Sequence, residues 1–420
     1  MKQRLKTWQI VFLGFLIVGT IYILAGHEPE VYRTNEGCIA GSTTYKIEYK
    51  ASKDSHEEIK AALLEEEALQ AVAKLLDEKG VKNYRIDIDG KVVTKGKNDK
   101  GKNDKGKKWE TPKSKETTIH ANQGNIFGTY YQIKYEATDD LHEEIKGALL
   151  DVDNALSMFN KNSIIRAFNE NRDTIANEMF TDVFNLAQEV SEKTDGAFDI
   201  TVAPLVNAWG FGFKKGSLPD DKDVKEMLKY IGYHTISLVD GKLVKENKNT
   251  MLDCSAIAKG YGCDAVARVL DSKDIKNYMI EIGGEVVTKG KNSKGTDWQI
   301  AISKPTEDAM EHQIVIGISD RGMATSGNYR NYREENGKKF AHTIDPRTGY
   351  PVQHSLLSAT VVADACAKAD AYATAFMTAG LEKAKEICRE NDIEAYFIYA
   401  DENGEMKTFA TDGFKKYIKQ

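Results

Sequence analysis

Asp370 and Thr374 in "KADAYATAFM" stand four residues apart, so a helix over this stretch puts a carboxylate and a hydroxyl on one face. With backbone carbonyls they form a hard oxygen donor set, which selects magnesium or calcium over transition metals; the same spacing also occurs on plain helices. In "LDCSAIAKGYGCDAV", residues 252–266, Asp253 stands at a helix start and Lys259 follows among small residues. Exposed N–H groups with a lysine alongside suit an anion such as a phosphate. The alternative is an N-cap aspartate and a solvated lysine. "TDGAFDITVAPLVNAWGFG", residues 194–212, sets Phe198, Trp209 and Phe211, with Phe213 just beyond, beside the acid Asp199. Its glycines let backbone approach a ligand, so the stretch suits either a planar heterocycle or a buried aromatic turn. His342, in "AHTIDPRTGYPV", is the histidine type that takes a proton from a hydroxyl at neutral pH, a structural histidine being the alternative.

The elements that must position these residues are legible as periodicities. "GTYYQIKYEA" alternates like a strand, "LHEEIKGALLDVDNALSMF" has helical period, and "FTDVFNLAQEVSEKT" is a second amphipathic helix ending before Gly196. "NYMIEIGGEVVTKG" and "WQIAIS" read as paired strands. "ADAYATAFMTAGLEKAKEICREN" reads as helical to about Asn391, and "AYFIYA" with "GEMKTFAT" as a closing hairpin. Hairpins mixed with helices, without regular βαβ units, argue for an α+β fold over a doubly wound sheet.

Upstream, the chain repeats pieces of itself. "NYRIDIDGKVVTKGKN" at 83–98 is a near-twin of "NYMIEIGGEVVTKGKN" at 277–292, and "YKIEYKASKDSHEEIKAALL" matches "YQIKYEATDDLHEEIKGALL". The upstream version omits everything equivalent to about residues 155–262. The expected organisation is therefore a linker at 26–37, a partial degenerate duplicate at 38–110, a linker at 111–124 and a catalytic domain at 125–420. Residues 1–25 differ from the rest: Lys2, Arg4 and Lys6 precede an uncharged apolar run of roughly membrane-spanning length, which predicts a signal anchor with the remainder exported. Over 420 residues, 41% apolar and 29% charged is a folded, soluble balance, and a net charge of -6 argues against a nucleic-acid surface. The five cysteines have neither disulfide-framework nor CxxC spacing, and Cys254 and Cys263, nine apart on a helix, face different ways.

In this order, "GTYY", "TDGAFDITVAPLVNAWGFG", "LDCSAIAKGYGCD", "IEIGGEV", "ATSGNYR", "HTIDPRTG" and "ADAYATA" resemble the FAD:protein FMN transferase family, the ApbE-like flavin transferases, over about residues 125–391. The resemblance implies an ApbE-like, T-fold-related α+β domain that takes FAD as substrate, uses Mg2+, and passes FMN to a threonine hydroxyl of a membrane redox subunit with release of AMP. It implies flavin and adenine contacts from Phe127, Phe159, Ala197, Phe198, Asp199, Asp253, Lys259 and Ile344. It likewise implies magnesium held by the Ala256 carbonyl, the Asp370 carboxylate, the Ala373 carbonyl and the Thr374 hydroxyl, with His342, Asp370 and Lys259 as the catalytic set. Phe127 and Phe159 stand where the family often has methionine and tyrosine, and Asn328 where it often has aspartate. The expected partners are an acceptor protein reached in trans and the cell (inner) membrane, with a single pass and the catalytic domain on the extracytoplasmic side. A Mg2+-dependent FAD pyrophosphatase and a non-catalytic flavin-binding protein are the alternative functions.

Overall fold

The computed structural model describes residues 31–419 except 40–42, 52–54, 56–58, 60–62, 64–67, 89–90, 96–116, 213–217, 306–311, 329–331 and 336–337. The expected anchor at 1–25 lies outside the described residues. Among the described residues, no helix is long and apolar enough to cross a membrane. The chain divides into two compact units, the second beginning at Thr117.

The first unit is a four-stranded antiparallel sheet in the order Val31–Ile39, Thr43–Ala51, Tyr84–Ile88, Lys91–Lys95, with the helix Ala68–Glu78 packed on it. Its hydrogen bonds copy those of the second unit. The Tyr84 hydroxyl and the Lys95 ammonium both donate to Asp77 Oδ1, at 2.9 and 2.8 Å; Tyr278 and Lys289 do the same to Asp271 at the same distances. Ile47 faces Ile86 and Tyr49 faces Tyr84, as Ile133 faces Ile280 and Tyr135 faces Tyr278. The copy reaches further upstream than residue 38: Val31–Ile39 pairs with Thr43–Ala51 as Thr118–Ile126 pairs with Thr129–Ala137. Both stretches expected as linkers, 26–37 and 111–124, therefore run into strands. The start placed at 125 falls at Thr117 instead, because the nine-residue strand Thr118–Ile126 belongs to the second unit's sheet.

That sheet has eight strands, all neighbours antiparallel, in the order Met406–Ala410, Glu394–Ala400, Leu356–Ala363, Arg321–Gly327, Glu285–Lys289, Tyr278–Ile282, Thr129–Ala137, Thr118–Ile126. This is the expected α+β arrangement. "WQIAIS" (Trp298–Ser303) is a correction: it pairs with His312–Ile318 in a separate two-stranded sheet, where its apolar residues cover the far face of the main sheet. The run expected as one helix to Asn391 is two, Cys366–Ala379 and Leu381–Asn391, broken at Gly380 with φ +80°.

Two helices, Ser255–Ser272 and Cys366–Ala379, lie on the near face and bring the chemistry together. Their backbones approach so closely that a Cβ on Gly260 would sit 2.4 Å from the Cys366 carbonyl oxygen. On the strand Glu285–Lys289 the pleat sends Val286 to the far-face cluster with Ile302 and Met323, and Val287 to the near-face cluster with Cys263 and Val266. Glu285, two residues before Val287, thus points to the helices. Cys254 and Cys263 are buried in separate clusters, and Cys263 lies beside Cys366 instead.

Candidate active site

Under these helices opens a cavity of about 790 Å³, within the usual range for a small-molecule site. Lys259, on the second turn of its helix, extends its ammonium to 3.0 Å from Glu285 Oε1 and 3.5 Å from Asp370 Oδ1. Asp370 is 1% exposed and its second oxygen accepts the Gly260 N–H at 3.1 Å. One turn on, the Thr374 hydroxyl meets Ser326 Oγ at 3.1 Å, so the predicted face of Asp370 and Thr374 turns to the cavity. Burial alone would discharge the ammonium, but the Asp370 and Glu285 carboxylates outweigh it and hold Lys259 above its ordinary pKa. Burial likewise pushes Glu285 above the usual carboxylate range, against the pull of Lys259.

The Asp370 helix is itself set by Asp264, whose two oxygens accept the N–H groups of Cys366 and Ala367, each at 2.9 Å. The acid that caps one helix is carried by the other, so Lys259 and Asp370 are placed as a unit. Burial raises the Asp264 pKa to about 6, the two amides opposing it.

The aromatic segment resolves into both of its readings. Trp209 is buried, donates to the Gly349 carbonyl at 2.8 Å and packs near Phe340, whereas Phe198 and Phe211 line the cavity. Ala197 lines it too, and Phe159, 63% exposed, presents a ring at its edge. Asp199 reaches the wall with its carboxylate committed: Oδ1 accepts from the Thr201 amide and hydroxyl at 2.7 and 2.6 Å, and Oδ2 from the Tyr233 amide at 2.7 Å. Asp253 takes the Ser255 amide at 2.8 Å, while its own N–H donates to the Ile200 carbonyl, tying the aromatic segment to the Lys259 helix. Phe213 lies outside the described residues.

His342 lies on the wall with its ring edge-on to Phe211, centroids 6.4 Å apart. Ile344, buried, is next to it through Thr343, whose hydroxyl donates to Asn328 Oδ1 at 2.6 Å. Ala256 also faces the cavity. Two expected residues do not line it. Phe127 adopts φ +52°, which turns its ring onto Gly262, where a Cβ would be 2.6 Å away; that space exists only because residue 262 is glycine. Ala373 is fully buried behind Thr374.

Two residues were absent from the expected set, Glu285 and Asp264. Glu285 had a signal in the sequence: the upstream twin carries Lys91 there, within an otherwise unchanged "VVTKGKN".

Among the described residues, no group of three or more His, Cys, Asp or Glu side chains forms a metal cluster. A hard cation nonetheless fits the donor chemistry. Asp370, Thr374 and Ala256 all reach the cavity, and Glu285 Oε2 is a buried carboxylate oxygen with no hydrogen-bond partner.

The model of the ApbE family matches residues 127–397. A Haemophilus influenzae FAD:protein FMN transferase is 41% identical over 322 residues, which cover 72% of this chain and 92% of that protein. The Escherichia coli (strain K12) FAD:protein FMN transferase is 33% identical over 320 residues, covering 73% and 91%. Among solved structures, the flavin transferase ApbE from Vibrio cholerae matches with a TM-score of 0.66 at 34% identity, covering 72% of this chain and 99% of that one. The apo form of the Pseudomonas stutzeri flavinyl transferase ApbE also matches at 0.66, with 31% identity and coverage of 72% and 97%.

Proposed function

The chain belongs to the ApbE family of FAD:protein FMN transferases, and from that premise we propose that it places the FMN half of FAD on a threonine hydroxyl of its acceptor, with magnesium held by Asp370, Thr374 and the carbonyl of Ala256. FMN transfer from FAD to a target protein is the activity its relatives carry in name and that their identity over most of the chain extends to it. The observation that carries the finer reading is the meeting of Lys259, Asp370 and Thr374 with an aromatic wall in one cavity.

Local charge supports a cation. With Glu285 pushed toward its neutral form by burial, Lys259 and Asp370 balance each other, and Lys259 is the only Lys or Arg among the described residues lining the cavity. The charge of a pyrophosphate exceeds what that one paired lysine can offset, which calls for a divalent ion. Magnesium, when bound, supplies that charge and stabilises the charge that develops at phosphorus. Phe159, Ala197, Phe198 and Ile344 offer the apolar wall against the planar rings, and Asp199 and Asp253 fix the backbone that presents them. Lys259 holds the pyrophosphate oxygens. His342 accepts the threonine proton as the hydroxyl oxygen bonds to the FMN phosphorus, the bridging P–O bond breaks, and AMP departs with its electron pair.

The acceptor in this reading is a membrane redox subunit reached in trans. The apolar run at 1–25, with its basic flank, supports anchoring in the inner membrane and an extracytoplasmic catalytic unit. Incubation with FAD, Mg2+ and an acceptor domain, followed by a denaturing gel, tests the reading: flavin fluorescence should run with the acceptor. AMP release with no label on any acceptor points to a pyrophosphatase, and turnover that persists in excess EDTA removes magnesium from the mechanism.

A further inference from the structure

Resting on the transferase reading, we propose that Glu285 is a positioning residue for Lys259, holding the ammonium where the pyrophosphate of FAD is bound. Glu285 is 2% exposed, lines the cavity, and is the nearer of the two carboxylates to Lys259, at 3.0 against 3.5 Å. A two-residue turn delivers it: Gly283 and Gly284 have φ of +62° and +103°, and the strands they join pair Ile282 directly with Glu285. The pleat then aims the carboxylate at the helices. A lysine side chain has four rotatable bonds, and an ammonium fixed before substrate arrives forfeits less freedom on binding it.

The chain contains its own control. In the upstream copy Lys91 replaces Glu285 at the same register, opposite Ile88 as Glu285 is opposite Ile282, and the strand Lys91–Lys95 still forms. That copy has no counterpart of Lys259 or of the Asp370 helix. The hairpin therefore does not require the acid. Keeping a buried carboxylate with one oxygen unpartnered is costly to folding, and the copy free of the site has dispensed with it.

The test compares the full-length wild type with E285Q, E285D, K259A and the E285Q/K259A double variant in three measurements: kcat and KM for FAD in transfer, FAD affinity by flavin fluorescence anisotropy, and the rate at which an amine-reactive acylating reagent modifies Lys259 relative to Lys289. E285Q should lower kcat/KM for FAD about 10- to 100-fold with weaker FAD affinity, E285D should fall between it and wild type, and E285Q should cost nothing further in the K259A background. Released from its partner, Lys259 should be acylated about tenfold faster in E285Q. A wild-type rate in E285Q, an equal loss in both backgrounds, or unchanged acylation overturns the proposal. Should E285Q fail to fold, E285D carries the same comparisons. A wild type that labels no acceptor defeats the transferase reading instead, and leaves the acylation measurement to decide the Glu285–Lys259 coupling.

Discussion

The Asp264 carboxylate spans the first two amides of the Asp370 helix, 2.9 Å from Cys366 N and 2.9 Å from Ala367 N, and so joins the helix that carries Lys259 to the one that carries Asp370. Its folded pKa, about 6, lies above the ordinary value of 3.8 because burial penalises the charge. A raised carboxylate pKa means that the folded state binds the proton more tightly. The group's contribution to stability is thus fully present below about pH 4 and lost as pH rises through 6. The stability difference between wild type and Asp264→Asn, which cannot titrate, should shrink by about 3 kcal/mol between pH 4 and 7. Urea unfolding at several pH values measures it, and a pH-independent difference would refute the argument.

Lys259 is the cationic partner of two acids, Asp370 and Glu285, that are almost fully buried. Its removal leaves them unpaired, which in a closed interior costs about 3–5 kcal/mol; the 28% exposure of the lysine side chain reduces that to about 2–3. K259A should therefore melt earlier than wild type in EDTA. If a divalent ion takes up the same charge, added Mg2+ should raise the melting temperature of K259A more than that of wild type. Equal shifts in thermal melts would count against a cation at this site.

Gly260 and Gly147 offer a matched pair of helix glycines. An added Cβ at Gly260 collides with the Cys366 carbonyl, whereas at Gly147 nothing lies within 4 Å. Gly260→Ala should force the two helices apart, costing about 1–3 kcal/mol and depressing transfer through the Lys259–Asp370 geometry. Gly147→Ala should be neutral or stabilising by up to about 1 kcal/mol. Melting temperature and transfer rate of both variants check the contrast.

Local patterns reached part of the cavity wall where residues sit in motifs with helical or turn spacing, Asp370 with Thr374, Asp253 before Lys259 and Phe198 beside Asp199, whereas Phe159, Ala197, Ala256 and Ile344 followed only from the resemblance of the ordered motifs. Contacts made across the chain left no such trace. Asp264 caps a helix 102 residues away, and one acid in an amphipathic helix looks like any solvated one. Glu285 reads as an ordinary strand polar residue until pleat and register aim it inward; only its replacement by Lys91 in the twin marked it. Phe127 lies off the cavity lining for a backbone reason, since a positive φ at a non-glycine residue is not written in residue type. The separate pairing of Trp298–Ser303 is likewise a tertiary choice, made by the apolar far face of the sheet.

His342 is the proposed recipient of the acceptor hydroxyl's proton; it lines the cavity, and its ring is braced edge-on by Phe211. A general base acts in the transition state, so its loss should appear in kcat with little change in FAD affinity. His342→Gln should slow transfer about 10²- to 10⁴-fold at neutral pH. Phe211→Leu, which keeps an apolar contact but removes the edge of the ring, should cost far less while loosening the histidine. Because a base is needed only in its neutral form, the wild-type rate should rise with pH through a single ionisation that is absent from the residual rate of His342→Gln. A pH–rate profile of both proteins, taken at saturating FAD and Mg2+, decides it: if the ionisation survives in the variant, the proton goes elsewhere.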